Sequence, residues 1–147
     1  MKKQQLIYIA SSWKNQHAVE MMTDLLEAKG HKVLSFVREA VETVGRESLT
    51  FTGKGFDAWV ESPGGQEKFI YDTCSARVAN VVVYIGPSGA DAWAEVGVAY
   101  GERVTILGLW SKGEAIGLNR RMVQWFRDYR ELLAKVDEIA EKSKAKR

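Results

Sequence analysis

The sequence predicts an α/β fold of flavodoxin-like or Rossmann-like type: a doubly wound parallel sheet of four or five strands, order 2-1-3-4, with helices on both faces. Three observations predict it. Apolar runs without alternation, Leu6–Ala10 (LIYIA) and Val81–Ile85 (VVVYI), suit strands buried on both faces. Segments of helical spacing separate the strand-like runs, as in βαβ units. The run at Val81–Ile85 ends in a Gly-Pro-Ser-Gly loop that opens a helix, which puts small residues at a strand's carboxyl end, where open α/β sheets bind ligands. Right-handed crossovers bring strands one and three side by side, so the switch point lies between Ala10–Trp13 and Gly86–Asp91.

In chain order, the first strand gives way to Ser11-Ser12-Trp13. Asn15–Lys29 follows with helical spacing and Ala18, Met22, Leu25 and Leu26 as its apolar face, and Gly30 stands in the C-cap position. Lys32–Val37 is the second strand. Residues 38–61 are polar at first and then carry Leu49, Phe51, Phe56 and Trp59. Two readings stand for them: a lid over the carboxyl edge of the sheet, or an insertion with its own apolar patch. Ser62-Pro63 marks the start of a helix running from about Gly65 to Ala79, with Ile70, Cys74 and Val78 as its apolar line and Asp72 on another face. After the central strand and its loop comes a helix, Asp91–Tyr100, whose Gly97 is expected to let it approach the sheet closely. Val104–Leu109 is a fourth strand and Ser111–Gly117 a polar loop. A last helix is expected from about Leu118 to Lys142, striped by Met122, Phe126, Tyr129, Leu133 and Val136, before a basic tail at 143–147.

A chain of 147 residues with 46% apolar and 27% charged residues is a single globular domain, 1–147. A net charge of +2 is too small to imply a nucleic-acid partner. With one cysteine, Cys74, there is no intramolecular disulfide and no cysteine-based metal cluster, and His17 and His31 lack ligand spacing. Neither a metal nor an organic cofactor is expected. The apolar part of MKKQQLIYIA is too short for a signal peptide, and no stretch suits a membrane span, so a cytoplasmic protein is expected.

The common nucleotide motifs are missing. There is no GxGxxG after strand one, no GxxxxGK[ST] and no GxSxG elbow. What remains is carboxylate chemistry. Asp91 and Glu95 lie four residues apart on one helix face, and Asp72 and Tyr8 can reach the same edge. Glycoside chemistry needs one carboxylate at the oxocarbenium-like carbon and a second group to manage the leaving group's proton. Each residue also has a plain structural reading. Glu95 suits a solvated helix face, Asp91 a helix dipole, Asp72 an i−4 pair with Lys68, and Tyr8, Trp13 and Trp93 simple packing.

Three segments in order carry a family resemblance: Ile7–Trp13 (IYIASSW), Tyr71-Asp72, and Asn80–Gly101 (NVVVYIGPSGADAWAEVGVAYG) with its Glu-x-Gly-x-Ala core. In these the chain resembles the nucleoside 2-deoxyribosyltransferase-like superfamily, which includes deoxynucleoside 5′-monophosphate N-glycosidases. The resemblance implies cleavage or transfer of the N-glycosidic bond of a nucleoside, deoxynucleoside or 5′-monophosphate through a glycosyl-Glu95 intermediate. It makes Glu95 the nucleophile and Tyr8 its orienting partner, and puts Asp72 in the nucleobase and proton-transfer region. Gly86, Ser88 and Gly89 would form the loop near the sugar or its 5′ substituent, with Ser11, Ser12, Trp13 and Asp91 completing the substrate-binding set. Family members often carry Asp or Ser six residues before the Glu. Here that position is Gly89, with Ser88 and Asp91 nearby. The resemblance also implies a homodimer in which a neighbouring subunit completes the site, with Ser111 or Asn119 as candidates and the last helix's stripe or Trp110 as the contact. Two alternatives keep the fold and change the activity: a non-catalytic nucleotide-binding module, and NAD cleavage.

Overall fold

The computed structural model of the chain describes residues 2–44, 55–114 and 117–145. Five strands, β1 (Leu6–Ala10), β2 (Lys32–Ser35), β3 (Val81–Ile85), β4 (Thr105–Leu109) and β5 (Gln124–Phe126), form one sheet of order β2-β1-β3-β4-β5. Every neighbouring pair is parallel, and β1 and β3 meet in the register Tyr8↔Val82 and Ala10↔Tyr84. The expected order is therefore observed, with β5 added at the edge. The helices are α1 (Gln16–Ala28), α2 (Phe36–Val44), α3 (Phe56–Val60), α4 (Pro63–Val78), α5 (Ala90–Gly101) and α6 (Tyr129–Ala145), with short 3-10 turns at Trp13–Asn15 and Leu118–Met122.

Alternation along the buried strands builds two cores. Ile7, Ile9, Val81, Val83 and Leu107 face α1, α2 and α6 through Val19, Met22, Leu26, Phe36, Leu132 and Val136. Tyr8, Ala10, Val82, Tyr84 and Ile106 face the other way, against Ala76 of α4 and Ala92, Val96 and Ala99 of α5. On the helix side this layer is made of small residues, so α4 and α5 lie close over the sheet. Among the described residues no helix is long and apolar enough to cross a membrane.

Several expectations are corrected. The second strand stops at Ser35, and Phe36 and Val37 begin α2 instead. On α1 the buried residues are Val19, Met22, Thr23 and Leu26, whereas Leu25 is exposed. The expected apolar line of α4 points outward: Ile70 and Val78 are about half exposed and Cys74 is exposed, because the helix packs inward through Gly65, Ser75 and Ala76. Residues 118–128 do not continue the last helix. They form a 3-10 turn and then β5, which pairs with Leu107–Leu109, and α6 begins at Tyr129. The extended state suits Val123-Gln124-Trp125-Phe126, rich in β-branched and aromatic side chains. Asp128 caps α6 by accepting from the Arg130 amide at 2.8 Å. Of the segment read as lid or insertion, α2 and α3 are helical, while residues 45–54, with Leu49 and Phe51, lie outside the described residues.

At the amino-terminal edge His31 is almost fully buried. Its Nδ1 accepts from the Gln5 amide at 3.2 Å, and its Nε2 lies 3.8 Å from Asp137 on α6, which also pairs with Lys2 and Lys29. Burial pulls the imidazole below its ordinary pKa, opposed by Asp137. Below about pH 6.5 the unfolded chain then binds a proton that the folded chain resists, so stability falls as the pH drops through that value. Urea midpoints at pH 7 and pH 5 are expected to differ less in His31→Gln than in the parent.

Candidate active site

The carboxyl ends of β1 and β3 open the crevice at the topological switch point, and α5 and α4 supply its acidic wall. Glu95, on the inward face of α5, is only 6% exposed. Burial, and next the nearby Asp72 carboxylate, push its pKa up to about 8, opposed by the Tyr8 hydroxyl and Lys68. Tyr8 is fully buried on the α4/α5 side of β1. Burial raises its pKa first and Glu95 second, yet its hydroxyl has no hydrogen bond of ordinary geometry. A buried hydroxyl without a partner costs roughly 1–3 kcal/mol, so its position beside Glu95 marks a place built for another group.

Asp72 projects from α4 into the same crevice. Lys68, one turn earlier, holds it at 2.9 Å, and the Lys68 ammonium also sits 5.3 Å from the Phe36 ring centroid. Burial raises the Asp72 pKa; Lys68 opposes it, and Glu39 and Asp91 add to it. Asp91 is exposed in the first turn of α5 and acts on both Asp72 and Glu95 through space. Tyr8, Asp72, Glu95 and Asp91 are therefore brought together. Among the described residues no group of metal-ligating side chains is assembled.

The two loops at the switch point are tied to each other. Ser11 donates to the Ile85 carbonyl at 2.6 Å and accepts from Asn15 Nδ2 at 3.1 Å, and the same amide donates to the Pro87 carbonyl at 2.8 Å. Ser11 thus braces the loop. Ser12 caps the 3-10 turn without a side-chain bond. Trp13 packs edge-on against Phe36 at 5.6 Å, on the opposite core from Glu95. Gly86 is buried, the Ser88 hydroxyl is a second buried oxygen without a partner, and Gly89 is the exposed N-cap of α5. Two unpartnered hydroxyls, Tyr8 and Ser88, thus belong to the strand and the loop that meet at one crevice.

Glu114 and Asn15 are the residues that sequence reasoning missed. Glu114 accepts from the Tyr84 hydroxyl at 2.7 Å and from Trp93 Nε1 at 3.3 Å, which fastens the loop after β4 onto β3 and α5. Tyr84, Trp93 and Trp125 pack against one another in tilted and edge-on contacts, and Trp110 meets Trp125 edge-on. Trp93 and Trp125 are therefore packing residues. The one available signal was Tyr84 itself, a tyrosine in a buried strand whose hydroxyl needs a partner. A Cβ on Gly86 would overlap the Glu114 carboxylate and stand 2.9 Å from the Tyr84 ring. Gly86→Ala is expected to break the Glu114 latch and destabilise the fold by about 2 kcal/mol, a fall in Tm of about 4–8 °C by thermal melting.

The expectation for Gly97 is also corrected: a Cβ there would meet nothing within 4 Å, so that face of α5 is open.

No protein-family model and no curated protein sequence matches the chain. Solved structures do. A 2-deoxyribosyltransferase from the psychrotolerant bacterium Bacillus psychrosaccharolyticus superposes with a TM-score of 0.62 at 21% identity, over 86% of this chain and 89% of that one. The CMP N-glycosidase BcmB of Clostridium botulinum superposes with a TM-score of 0.54 at 20% identity, over 90% of this chain and 98% of that one. The chain therefore shares its fold with these two enzymes.

Proposed function

We propose that this chain cleaves or transfers the N-glycosidic bond of a nucleoside, a deoxynucleoside or a 5′-monophosphate. The observation that carries the reading is the buried Glu95 carboxyl beside the unpartnered Tyr8 hydroxyl, with Asp72 across the crevice. Both structural relatives are named for reactions at that bond.

In the proposed reaction the ionised Glu95 carboxylate attacks C1′. The new C1′–O ester bond forms as the C1′–N bond breaks, and the electron pair leaves with the base, which takes a proton through Asp72. An acceptor base or water then attacks C1′, the ester breaks, and the acceptor's proton returns through Asp72. Two displacements retain the configuration. The Tyr8 hydroxyl, without a hydrogen bond of ordinary geometry in this structure, turns to donate to the ionised Glu95 and fixes its rotamer. The loop amides after Gly86 and the Ser88 hydroxyl offer donors to the sugar or its 5′ substituent.

The reading includes a homodimer. Phe69, Ile70 and Val78 stand exposed on α4, and open space lies beside Gly97 on α5, so a second copy fits this face. The α6 stripe does not, since Leu132, Leu133 and Val136 are buried against the sheet. Sedimentation equilibrium of Ile70→Glu against the parent tests the contact, and a monomeric parent would remove it.

The activity is tested by chromatography of free base. Nucleosides, deoxynucleosides, their monophosphates and NAD are incubated with and without an acceptor base, beside Glu95→Ala. Base release lost in Glu95→Ala is the expected result. No release from any substrate at stoichiometric enzyme would instead favour a binding module.

A further inference from the structure

A groove of about 710 Å³ opens at the opposite, amino-terminal edge of the sheet, between the end of α5, the start of β4 and the 3-10 turn before β5. Its lining includes Tyr100, Arg103, Val104, Ile106, Arg121 and Met122. Tyr100 is 58% exposed there, a flat ring open to solvent. Among the described residues neither Arg103 nor Arg121 has a carboxylate partner.

Arg103 is also held in an unfavourable backbone conformation. Two helices of this chain end in the same motif. In α1 the Gly30 amide donates to Glu27 and the His31 amide to Leu26; in α5 the Arg103 amide donates to Tyr100 and the Val104 amide to Ala99. The residue between helix and exit is left-handed in both, with φ 87° at Gly30 and 60° at Arg103. Glycine adopts that conformation freely, and a residue with a Cβ resists it. The chain uses glycine at the first site and arginine at the second, where the side chain lines a groove. Strain kept where a simpler residue would serve points to a role for the side chain.

We infer that this groove is a second ligand site, separate from the crevice at Glu95, for a monophosphate carrying a flat aromatic ring. Two guanidiniums suit the phosphate, since each offers paired donors to its oxygens. Tyr100 supplies a stacking surface, and Val104, Ile106 and Met122 an apolar floor. The volume lies within the range of small-molecule pockets.

The test uses amide chemical shifts of the full chain carrying Glu95→Gln, so that no probe is consumed. Purine and pyrimidine mononucleotides, pyridoxal phosphate, the free nucleosides and inorganic phosphate are titrated in turn. The expected result is a shift of amides in residues 100–106 and 120–124 with at least one aromatic monophosphate. Nucleoside or phosphate alone should bind at least tenfold more weakly. Arg103→Gly should weaken that binding at least tenfold while raising the Tm by about 2–4 °C, because it relieves the left-handed arginine. Arg121→Ala should weaken binding without the gain in Tm. Shifts confined to residues 8–13 and 86–95 would assign the binding to the crevice and overturn the second site. So would full affinity in Arg103→Gly, or no response to any probe at millimolar concentration. These outcomes are independent of whether the crevice at Glu95 is catalytic.

Discussion

Glu95→Gln is expected to abolish base release, by about 10⁴-fold or more, and to leave the protein more stable than its parent at alkaline pH. The first effect follows from the proposed chemistry: an amide of the same shape keeps the packing and the Tyr8 contact but cannot form the ester to C1′. The second follows from burial. Desolvation and the neighbouring Asp72 raise the carboxyl from 4.5 to about 8 in the folded chain. Between those values the folded state holds a proton that the unfolded state has lost. The stabilising contribution is complete below about pH 4.5 and disappears as the pH rises through about 8. Parent stability should therefore decline relative to the variant by about 3 °C in Tm per pH unit up to pH 8. Chromatography of free base and melting curves from pH 6 to 9 read both effects on one preparation. A Gln variant that releases base at the parental rate would remove Glu95 from the reaction, whatever its melting behaviour.

The parts of this molecule that were legible in the sequence are those fixed by local pattern. Runs such as Val81–Ile85 have one plausible fate, and the order of strands and helices then leaves few topologies. Ser62-Pro63 announced α4, and Ser62 does accept from the Gly65 amide. Gly30 announced the end of α1, where it is left-handed. The failures came where tertiary context overrode a local pattern. The stripe through Met122 and Phe126 has helical spacing, but pairing with Leu107–Leu109 draws that stretch into the sheet. The helix start that remained, Asp128 followed three residues later by Glu131, was readable as a capping signal. On α4 the largest side chains face outward, because close approach to the sheet favours Gly65, Ser75 and Ala76 inside. In the proposed site, Tyr8, Asp72 and Glu95 could be placed at one edge because a switch point brings specified strand and helix ends together. Glu114 and Asn15 were not, because the contacts that tie them across the site, to Tyr84 and Pro87, span 30 and 72 residues.

The second large effect expected is at Asp72. Asp72→Asn should lower base release by about 10²–10⁴-fold for substrates whose base must be protonated as it leaves, and less for better leaving groups. It should also move the pH profile. In the parent, Glu95 is largely neutral below about pH 8. A nucleophilic role therefore predicts a kcat/KM that climbs with pH and levels near that value. The negative charge of Asp72 is the largest raising influence on Glu95 after burial. Its removal makes Glu95 easier to ionise, so the rising limb should shift to lower pH in the variant even as the plateau drops. Lys68 complicates the assignment in an instructive way, since its ammonium at 2.9 Å favours a charged Asp72. The two carboxyls share one proton economy, and the profile reports the pair. A kcat/KM that falls as pH rises through 8 would reverse the roles, making protonated Glu95 the acid and Asp72, charged beside Lys68, the nucleophile. The direction of that limb, taken with the loss of plateau in Asp72→Asn, decides which carboxylate meets the sugar.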